Sequence, residues 1–443
     1  MSTLRTRSAG LFAVLLLAAL GCKAETFGET DIPIVPDELA IADGVAVAGS
    51  WITLDAPWVA EMPPHFQVAI DSGPGTPGLR VADAPSSFRL HLPDTLSGAT
   101  HQLFLLGPDG ARTPIGRIRT GGFAGGRSVP GSIFGPTQVD PSLPGVVGLT
   151  TSSLLNSYGA VVVILDARNA TLREVPNSGT NTYGVGASYT PGRYLIYQPW
   201  SGGYWIKLGS TLGRRSTDSL PVYGTWWPTH EIAPGLYLQD LKQSTRIVDT
   251  SGITIDWLSD GAYGHPEHVA FSEDGVWAVP SHSRSRDGLL IFDRSARNFH
   301  WAPGWEQYTT PLFLPSGDLV AYGWRRVTPG GESQEILARV DPVTGAIGDS
   351  VVFGPAGTPF DLPVALQSLA WIVFAGQANG HLELSIRDAV TLEEIAHPRA
   401  PLMPNGCYSW STFTVLEDVP LDRIYVVGNE CYGSVPVWTF ALP

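Results

Sequence analysis

The stretch "ILARVDPVTGAIGDSVV", residues 336–352, contains an apolar strand that ends in Asp341, a turn, and a second strand. The same element recurs along the chain, and its closing aspartate is found at Asp166, Asp249, Asp293 and Asp388. Gly209 occupies the matching position in one further copy. Successive copies are 43, 40, 44, 48 and 47 residues apart, so the sequence indicates a repeat architecture.

A second hairpin precedes each copy of this element. It reads "HVAFSEDGVWAV" at 268–279 and "PLFLPSGDLVAYGW" at 311–324, with Asp-Gly or Ser-Gly in the turn. Asp, Asn and Gly tolerate the positive φ angles that tight hairpins require. Two hairpins per repeat give four strands in about 45 residues, which is typical of one blade of a β-propeller.

The repeats predict an all-β propeller over residues 135–443, with seven blades favoured and six to eight compatible with the spacing. The last copy, "VPVWTFALP" at 435–443, ends the chain in mid-blade. Because an unclosed ring exposes a sheet edge, we expect the missing strand from the start of the propeller, near "SIFGPTQVD" at 132–140.

Two turns resemble those of known propellers. "FSEDG" at 271–275 is similar to the "FSPDG" turn of WD40-like and TolB-like propellers, and "VDPVTG" at 340–345 is similar to the outer turn of YVTN-type and quinoprotein-type blades. No repeat carries the Gly-His…Trp-Asp signature of true WD40 units. We expect the repeated aspartates to accept hydrogen bonds from backbone N–H groups of their own turns rather than to act in catalysis.

Residues 32–122 show a different, period-two pattern. In "FRLHLP", Phe88, Leu90 and Leu92 point to one side of a strand and the residues between them to the other. Six or seven such strands predict a β-sandwich. The order "FQVAIDSGPG" (66–75), then "SSFRLHLPDTLSGATHQLFLL" (86–106), resembles the IPT/TIG type of immunoglobulin-like domain of bacterial surface proteins. Gly, Ser and Pro crowd into residues 123–134, which we expect to be a linker.

The N-terminus predicts a lipid anchor. Residues 1–21 combine two arginines with a short apolar run, as a secretory signal peptide does. Ala19-Leu20-Gly21-Cys22 resembles the bacterial lipoprotein signal, which implies cleavage before Cys22 and acylation of that cysteine, with residues 22–31 as the tether. Lys23 favours the outer membrane. An ordinary secretory signal with a different cleavage site is the alternative.

The amino-acid composition limits the kinds of partner that this protein could bind. The net charge of −14 disfavours a nucleic-acid surface, and no second long apolar segment follows the signal. The two remaining cysteines, Cys407 and Cys431, are expected to form a disulfide in an oxidising compartment. Two independent free thiols are the alternative.

Two sets of residues are candidates for a site. His230 and His268 begin consecutive repeats and could hold a channel-bound metal ion, although no other cofactor is predicted; hydrogen bonding across a wet channel is the alternative. Trp226, Trp227 and Trp205 could stack on a glycan or anchor a protein, or else pack between the sheets.

The functional prediction is a lipid-anchored binding or scaffold protein of the bacterial envelope. In this prediction an immunoglobulin-like stalk holds a propeller away from the membrane, and one propeller face recognises a protein or a glycan. The alternative is an envelope enzyme, either a hydrolase, a lyase or a metal-dependent oxidoreductase, with its site at the channel mouth. The sequence contains no nucleophile elbow, zincin motif or phosphate-binding loop.

Overall fold

A computed structural model describes most of the chain from residue 38 to residue 443. The described segments are 38–131, 133–139, 147–152, 161–174, 184–187, 193–197, 203–207, 214–220, 229–240, 244–249, 254–260, 268–284, 288–326, 333–353, 363–403, 406–407, 413–429 and 431–443. Within them the chain is all-β, as predicted, and helix is confined to two short 3-10 turns, Pro57–Glu61 and Val419–Leu421.

The N-terminal sheet contains seven antiparallel strands. They are β1 (Ile41–Gly44), β2 (Trp51–Asp55), β3 (His65–Ile70), β4 (Gly75–Arg80), β5 (Ser87–His91), β6 (Thr100–Leu106) and β7 (Arg112–Arg119). Their order across the sheet is β1-β2-β5-β4-β3-β6-β7. The predicted alternation holds in β5, where Phe88 and Leu90 are buried in the same cluster as Ile52 and Val68, while Arg89 is exposed.

The next three sheets are four-stranded antiparallel meanders. The first sheet contains β9 (Phe134–Val139), β10 (Val147–Ser152), β11 (Val161–Asp166) and β12 (Thr171–Glu174). The second contains β13 (Gly184–Ala187), β14 (Arg193–Tyr197), β15 (Gly203–Lys207) and β16 (Arg214–Leu220). The third contains β17 (His230–Ala233), β18 (Leu236–Asp240), β19 (Ser244–Asp249) and β20 (Thr254–Asp260).

In the fourth and fifth sheets, one short strand of the fourth repeat crosses over to pair with the fifth sheet. The fourth contains β21 (Val269–Phe271), β22 (Trp277–Pro280), β24 (Leu289–Asp293) and β25 (Asn298–Ala302). Between β22 and β24, strand β23 (His282–Arg284) pairs instead with the fifth sheet. The fifth contains β26 (Trp305–Phe313), β27 (Leu319–Arg326), β28 (Ser333–Val340) and β29 (Ile347–Val352).

The sixth and seventh sheets complete the series. The sixth contains β30 (Val364–Ala365), β31 (Trp371–Ala378), β32 (His381–Asp388) and an outer strand split into β33 (Glu394–Ala396) and β34 (Arg399–Pro401). A separate two-stranded ladder joins β35 (Gly406–Cys407) and β38 (Cys431–Tyr432). The seventh contains β36 (Phe413–Asp418), β37 (Arg423–Gly428) and β39 (Ser434–Ala441), followed by a strand from the start of the chain.

That closing strand is β8 (Gly122–Pro130), which pairs with β39 from Ser434↔Pro130 to Ala441↔Gly122. The prediction that an N-terminal strand completes the last sheet is therefore confirmed, but the segment is different. Residues 123–130 are not a linker, because their backbone groups are hydrogen-bonded in the sheet. Residues 134–139 of "SIFGPTQVD" form β9 of the first sheet instead.

Neighbouring sheets pack against each other around a closed circuit. Strand β13 of the second sheet contacts β10 of the first and β17 of the third. The other neighbours share buried apolar clusters, represented by Leu238 with Phe292, Ile291 with Ala321, Tyr322 with Phe374, Leu384 with Val426, and Val427 with Leu165. The core of this part of the chain therefore lies between successive sheets.

The N-terminal sheet packs directly against the sixth and seventh sheets. Val47 is buried in the apolar cluster that those sheets share. Parallel bridges join Val47 to Gly121 and Ser97 to Phe123. The expectation of a stalk joined by a linker is therefore not what the described residues show, because the N-terminal unit shares a core with its neighbours.

Candidate functional site

The repeated aspartates shape turns, as predicted. Asp341 accepts a hydrogen bond from the Val343 N–H at 2.8 Å, and Asp388 accepts one from the Val390 N–H at 2.8 Å. Asp293 does the same for the Ser295 N–H, also at 2.8 Å. These carboxylates hold the connection between the third and fourth strands of their sheets, which is a structural role.

Turns from neighbouring sheets meet on one side of the molecule. In an antiparallel meander the connections between strands one and two and between strands three and four lie at the same end. We call the surface formed by these connections in the fourth to seventh sheets the turn face. Arg339 of the fifth sheet donates to the carbonyls of Ala389 (2.5 Å) and Val390 (3.1 Å) of the sixth. Glu417 of the seventh sheet accepts from the Gln367 N–H of the sixth at 2.6 Å.

Exposed aliphatic side chains lie along the turn face. Val343 is 68% exposed, Val390 70%, Val419 43% and Leu421 44%. They belong to turns of the fifth, sixth and seventh sheets. The hydrogen bonds of Arg339 and Glu417 described above hold these turns side by side. Turn positions normally carry polar residues, so this row of aliphatic side chains is a candidate contact surface.

Sequence reasoning missed this row, although a signal was present. Asp341-Pro-Val343-Thr344 and Asp388-Ala-Val390-Thr391 repeat the pattern Asp-x-Val-Thr in consecutive repeats. The Asp and Thr side chains of the pattern make hydrogen bonds within the turn, but nothing in the turn requires valine.

A cleft opens on the turn face between the fourth and fifth sheets. Its volume is about 370 Å³, and the half-buried Trp277 lies on its wall opposite Pro315 and Pro342. Ser272 shapes the fourth-sheet side, since its hydroxyl accepts from the Trp277 N–H at 2.8 Å and donates to Asp274 at 2.5 Å. We call this the turn cleft.

The turn cleft has an acidic rim. The hydrogen bond from Ser272, together with one from the Val276 N–H, lowers the pKa of Asp274, so this carboxylate stays ionised. Glu273 lies beside it and is exposed. On the fourth-sheet side, Arg294 lies near Asp274 and adds to the lowering of its pKa. On the fifth-sheet side, Arg339 pairs with Asp318 at 2.7 Å.

The carboxylate of Asp341, which precedes Pro342 of the cleft wall, is also held ionised. Hydrogen bonds from the Thr344 hydroxyl and the Val343 N–H lower the pKa of Asp341. The turn cleft therefore combines an aromatic wall with negative charge, and this combination suits a cationic group.

The two predicted histidines occupy equivalent positions on consecutive sheets. His230 begins β17 and His268 directly precedes β21, and His268 pairs with Ser281 as His230 pairs with Leu238. His230 is fully buried. His268 is half-buried, and burial lowers its pKa to about 4, so its imidazole is neutral at neutral pH.

The described residues provide no third ligand for the metal ion predicted at these histidines. Across the described segments, no group of three or more His, Cys, Asp or Glu side chains is arranged to hold a metal ion. A metal at His230 and His268 remains a prediction.

The predicted disulfide cysteines face each other in the backbone ladder. β35 and β38 are antiparallel, and Cys407 is paired directly with Cys431. The disulfide itself remains a prediction.

The remaining predicted residues lie largely outside the described part of the chain. Cys22, Trp226 and Trp227 are outside it altogether. Trp205 lies in β15 opposite Leu195, and only its backbone is described. No helix among the described residues is long and apolar enough to cross a membrane.

Four-stranded meanders packed face to face around a circuit, with the last sheet completed by a strand from the beginning, define a β-propeller. The prediction of an all-β chain with a β-propeller is thus confirmed. The sequence matches no protein-family model and no curated protein. Among solved structures, the chain is similar to the WD40 domain of Toxoplasma gondii coronin, with a TM-score of 0.43 and 10% identity over 72% of this chain and 87% of the coronin domain.

Proposed function

We propose that this chain is a lipid-anchored binding protein of the bacterial envelope whose turn face recognises a protein partner. The observation that carries the proposal is the row of exposed aliphatic side chains, Val343, Val390, Val419 and Leu421, beside the acidic turn cleft. Apolar contacts supply affinity at protein interfaces, and complementary charge supplies specificity and a fast association rate. The partner is expected to present an apolar strip flanked by lysine or arginine.

The architecture proposed for this protein is a seven-bladed propeller joined to an immunoglobulin-like unit. The seven sheets found among the described residues, with β8 completing the last, support the blade number. The N-terminal strand order β1-β2-β5-β4-β3-β6-β7 supports the second part. Constant-type immunoglobulin domains place strands A-B-E-D in one sheet and C-F-G in the other, and the observed order is that series joined through β4 and β3.

The proposed location rests on the N-terminal sequence. Acylation of Cys22 would hold the protein at the membrane, because two or more acyl chains give a lasting anchor. Lys23 supports the outer membrane as its destination.

Site-specific photo-crosslinking in intact cells tests the recognition surface. A photoreactive amino acid replaces Val343 or Val390 on the turn face. The matched control is Val352, which is 59% exposed but lies at the opposite end of the fifth sheet. We expect one protein adduct from positions 343 and 390, weakened by added salt, and none from 352. Equal adducts at all three positions, or none at any, would contradict the proposal.

A glycan ligand is the second candidate, because Trp277 forms a wall of the turn cleft. A glycan array separates the two candidates. Binding that Trp277→Ala abolishes and Val343→Ser leaves unchanged would favour the glycan, whereas a partner protein depends on both residues.

A further inference from the structure

The junction between the N-terminal sheet and the sixth sheet is built around His397. This residue lies between β33 and β34, where the outer strand of the sixth sheet is interrupted. Gly49 packs so closely against it that a Cβ atom at Gly49 would lie 2.7 Å from the His397 carbonyl oxygen. Two residues further on, the Arg399 N–H donates to the Asp94 carbonyl at 2.8 Å.

The His397 imidazole lies between two carboxylates. Its Nε2 is 3.1 Å from Oε2 of Glu383, and its Nδ1 is 3.3 Å from Oε1 of Glu394. The Glu383 side chain is only 4% exposed, so its charge depends on protein partners rather than on water. With both ring nitrogens facing carboxylates, the doubly protonated imidazolium satisfies both acceptors, whereas the neutral ring satisfies one.

The same carboxylate connects to the N-terminal sheet. Nε of Arg399 is 3.1 Å from Oε1 of Glu383, and Nη1 of Arg399 is 3.2 Å from Oδ2 of Asp94. Asp94 belongs to the segment that follows β5. A chain of charged contacts therefore runs from His397 through Glu383 and Arg399 to Asp94.

The charges of this group balance only when His397 is protonated. Three carboxylates, those of Glu383, Glu394 and Asp94, face two permanent cations. One cation is Arg399, and the other is the nearly buried Arg387, whose Nη2 is 3.8 Å from Oε2 of Glu394. The imidazolium is the third cation. Its loss leaves one uncompensated negative charge in a group that includes a buried carboxylate.

We propose that this group is a pH-dependent latch, which holds the N-terminal sheet against the propeller while His397 is protonated and loosens when that proton is lost. The structure places the titrating ring where a single proton changes both the charge balance and the support of the residue that binds Asp94.

The direction of the effect follows from linkage. The hydrogen bond to Glu394, with further support from Glu383, raises the pKa of His397 above its ordinary 6.5. A group whose pKa is raised in the folded junction stabilises that junction fully below the ordinary value, and the stabilisation is lost as pH rises through the raised value. The latch is therefore closed in mildly acidic conditions and weakens on the alkaline side.

Glu394 sets the acidic limit of the same latch. Burial acts to raise its pKa, but hydrogen bonds from His397 and Ser385 outweigh burial, and the pKa of Glu394 is lowered overall. Its contribution is present above its ordinary pKa of 4.5 and is lost as pH falls through the lowered value.

Hydrogen exchange on the purified whole protein tests the latch. The probe is the amide of Arg399, with its rate corrected for the intrinsic effect of pH. We expect protection to fall several-fold as pH rises through the His397 titration, which is followed by NMR. In His397→Gln the step should disappear, and protection should stay at the high-pH level of the natural protein. His381→Gln is the matched control, because His381 lies on the same strand as Glu383 and pairs with the strand of Arg399, while its Nδ1 is 3.1 Å from the Asn379 carbonyl and not from a carboxylate.

A second variant keeps the test decisive should His397→Gln fold poorly. Glu394→Gln removes the main source of the raised pKa from a partly exposed position, and the exchange step should move to lower pH. A flat pH profile in the natural protein, or a step of equal position in all variants, would overturn the latch. Neither result bears on partner binding at the turn face, which is scored separately by crosslinking.

Discussion

Arg168 of the first sheet binds Asp418 of the seventh through two hydrogen bonds, at 2.6 and 2.9 Å. The Asp418 side chain is fully buried, whereas that of Arg168 is 34% exposed. The residues are 250 positions apart. This pair therefore joins the beginning of the propeller to its end.

Replacing Arg168 with alanine should destabilise the ring because it leaves the buried Asp418 carboxylate uncompensated. We expect a loss of about 2–3 kcal/mol in the free energy of unfolding, below the range for fully buried pairs since Arg168 is partly solvated. Asp418→Asn should be milder. Denaturant unfolding of both variants and of the double variant measures the coupling. Strictly additive losses would show that the pair does not act as a unit.

The pairing of β8 with β39 predicts which truncated proteins fold. A protein that lacks residues 1–37 keeps β1 to β39 and should unfold at the same temperature as the full chain. Removal of residues 1–130 deletes β8 and exposes the edge of β39, so we expect aggregation. Size-exclusion chromatography and circular dichroism distinguish the two outcomes. A monomeric, folded 131–443 fragment would mean that β8 is dispensable for closure.

Glycines 49 and 380 provide a matched test of how tightly the N-terminal sheet is docked. Both have positive φ, 79° and 78°, but a Cβ at Gly49 meets the His397 backbone and one at Gly380 meets nothing within 4 Å. Gly380→Ala should cost about 1–2 kcal/mol from backbone strain alone. Gly49→Ala should add about 1–3 kcal/mol of overpacking. Thermal unfolding of the two variants checks the difference, and equal losses would argue against close docking.

Cys407 and Cys431 should be linked in protein isolated from the envelope. Their backbone pairing favours the bond, which would close a 25-residue loop and contribute about 3 kcal/mol. Peptide mass spectrometry without reducing agent should find one cross-linked species, and reduction should lower the melting temperature. Quantitative alkylation of both thiols before reduction would support two free cysteines instead.

Cys22 should carry the lipid. Metabolic labelling with a fatty-acid analogue should mark the natural protein, and Cys22→Ser should lose both the label and membrane association while the propeller still folds. Cys407→Ser is the matched control, since it should keep the label. Labelling that persists in Cys22→Ser would contradict lipidation at Cys22 and favour the alternative, an ordinary secretory signal.

Much of the propeller was predictable because its information is local. The repeated Asp at Asp293, Asp341 and Asp388 marks turns through hydrogen bonds to N–H groups two residues on, and such contacts leave a clear periodic signal. Phe88 and Leu90 likewise reveal a half-buried strand by alternation alone. Residues 123–130 misled the prediction because glycine-rich composition is typical of linkers, whereas the partner strand that orders them is some 300 residues distant in sequence.

The candidate site was less accessible to sequence reasoning. Val343 and Val390 repeat at the same turn position, but only the packing of the fifth sheet against the sixth brings them side by side on one face. Trp277 becomes part of a cleft only because a turn of the neighbouring sheet supplies the opposite wall. The prominent histidine, His230, proved fully buried.

Periodicity and turn chemistry determined, from the sequence alone, that this chain is built of repeated four-stranded units, because hairpins are encoded by neighbouring residues. The tertiary structure alone decided which strand closes the ring, that the N-terminal sheet shares a core with the propeller, and that His397 lies between Glu383 and Glu394. These relationships join residues whose pairing depends on how whole sheets pack, and no local pattern of residues records that packing.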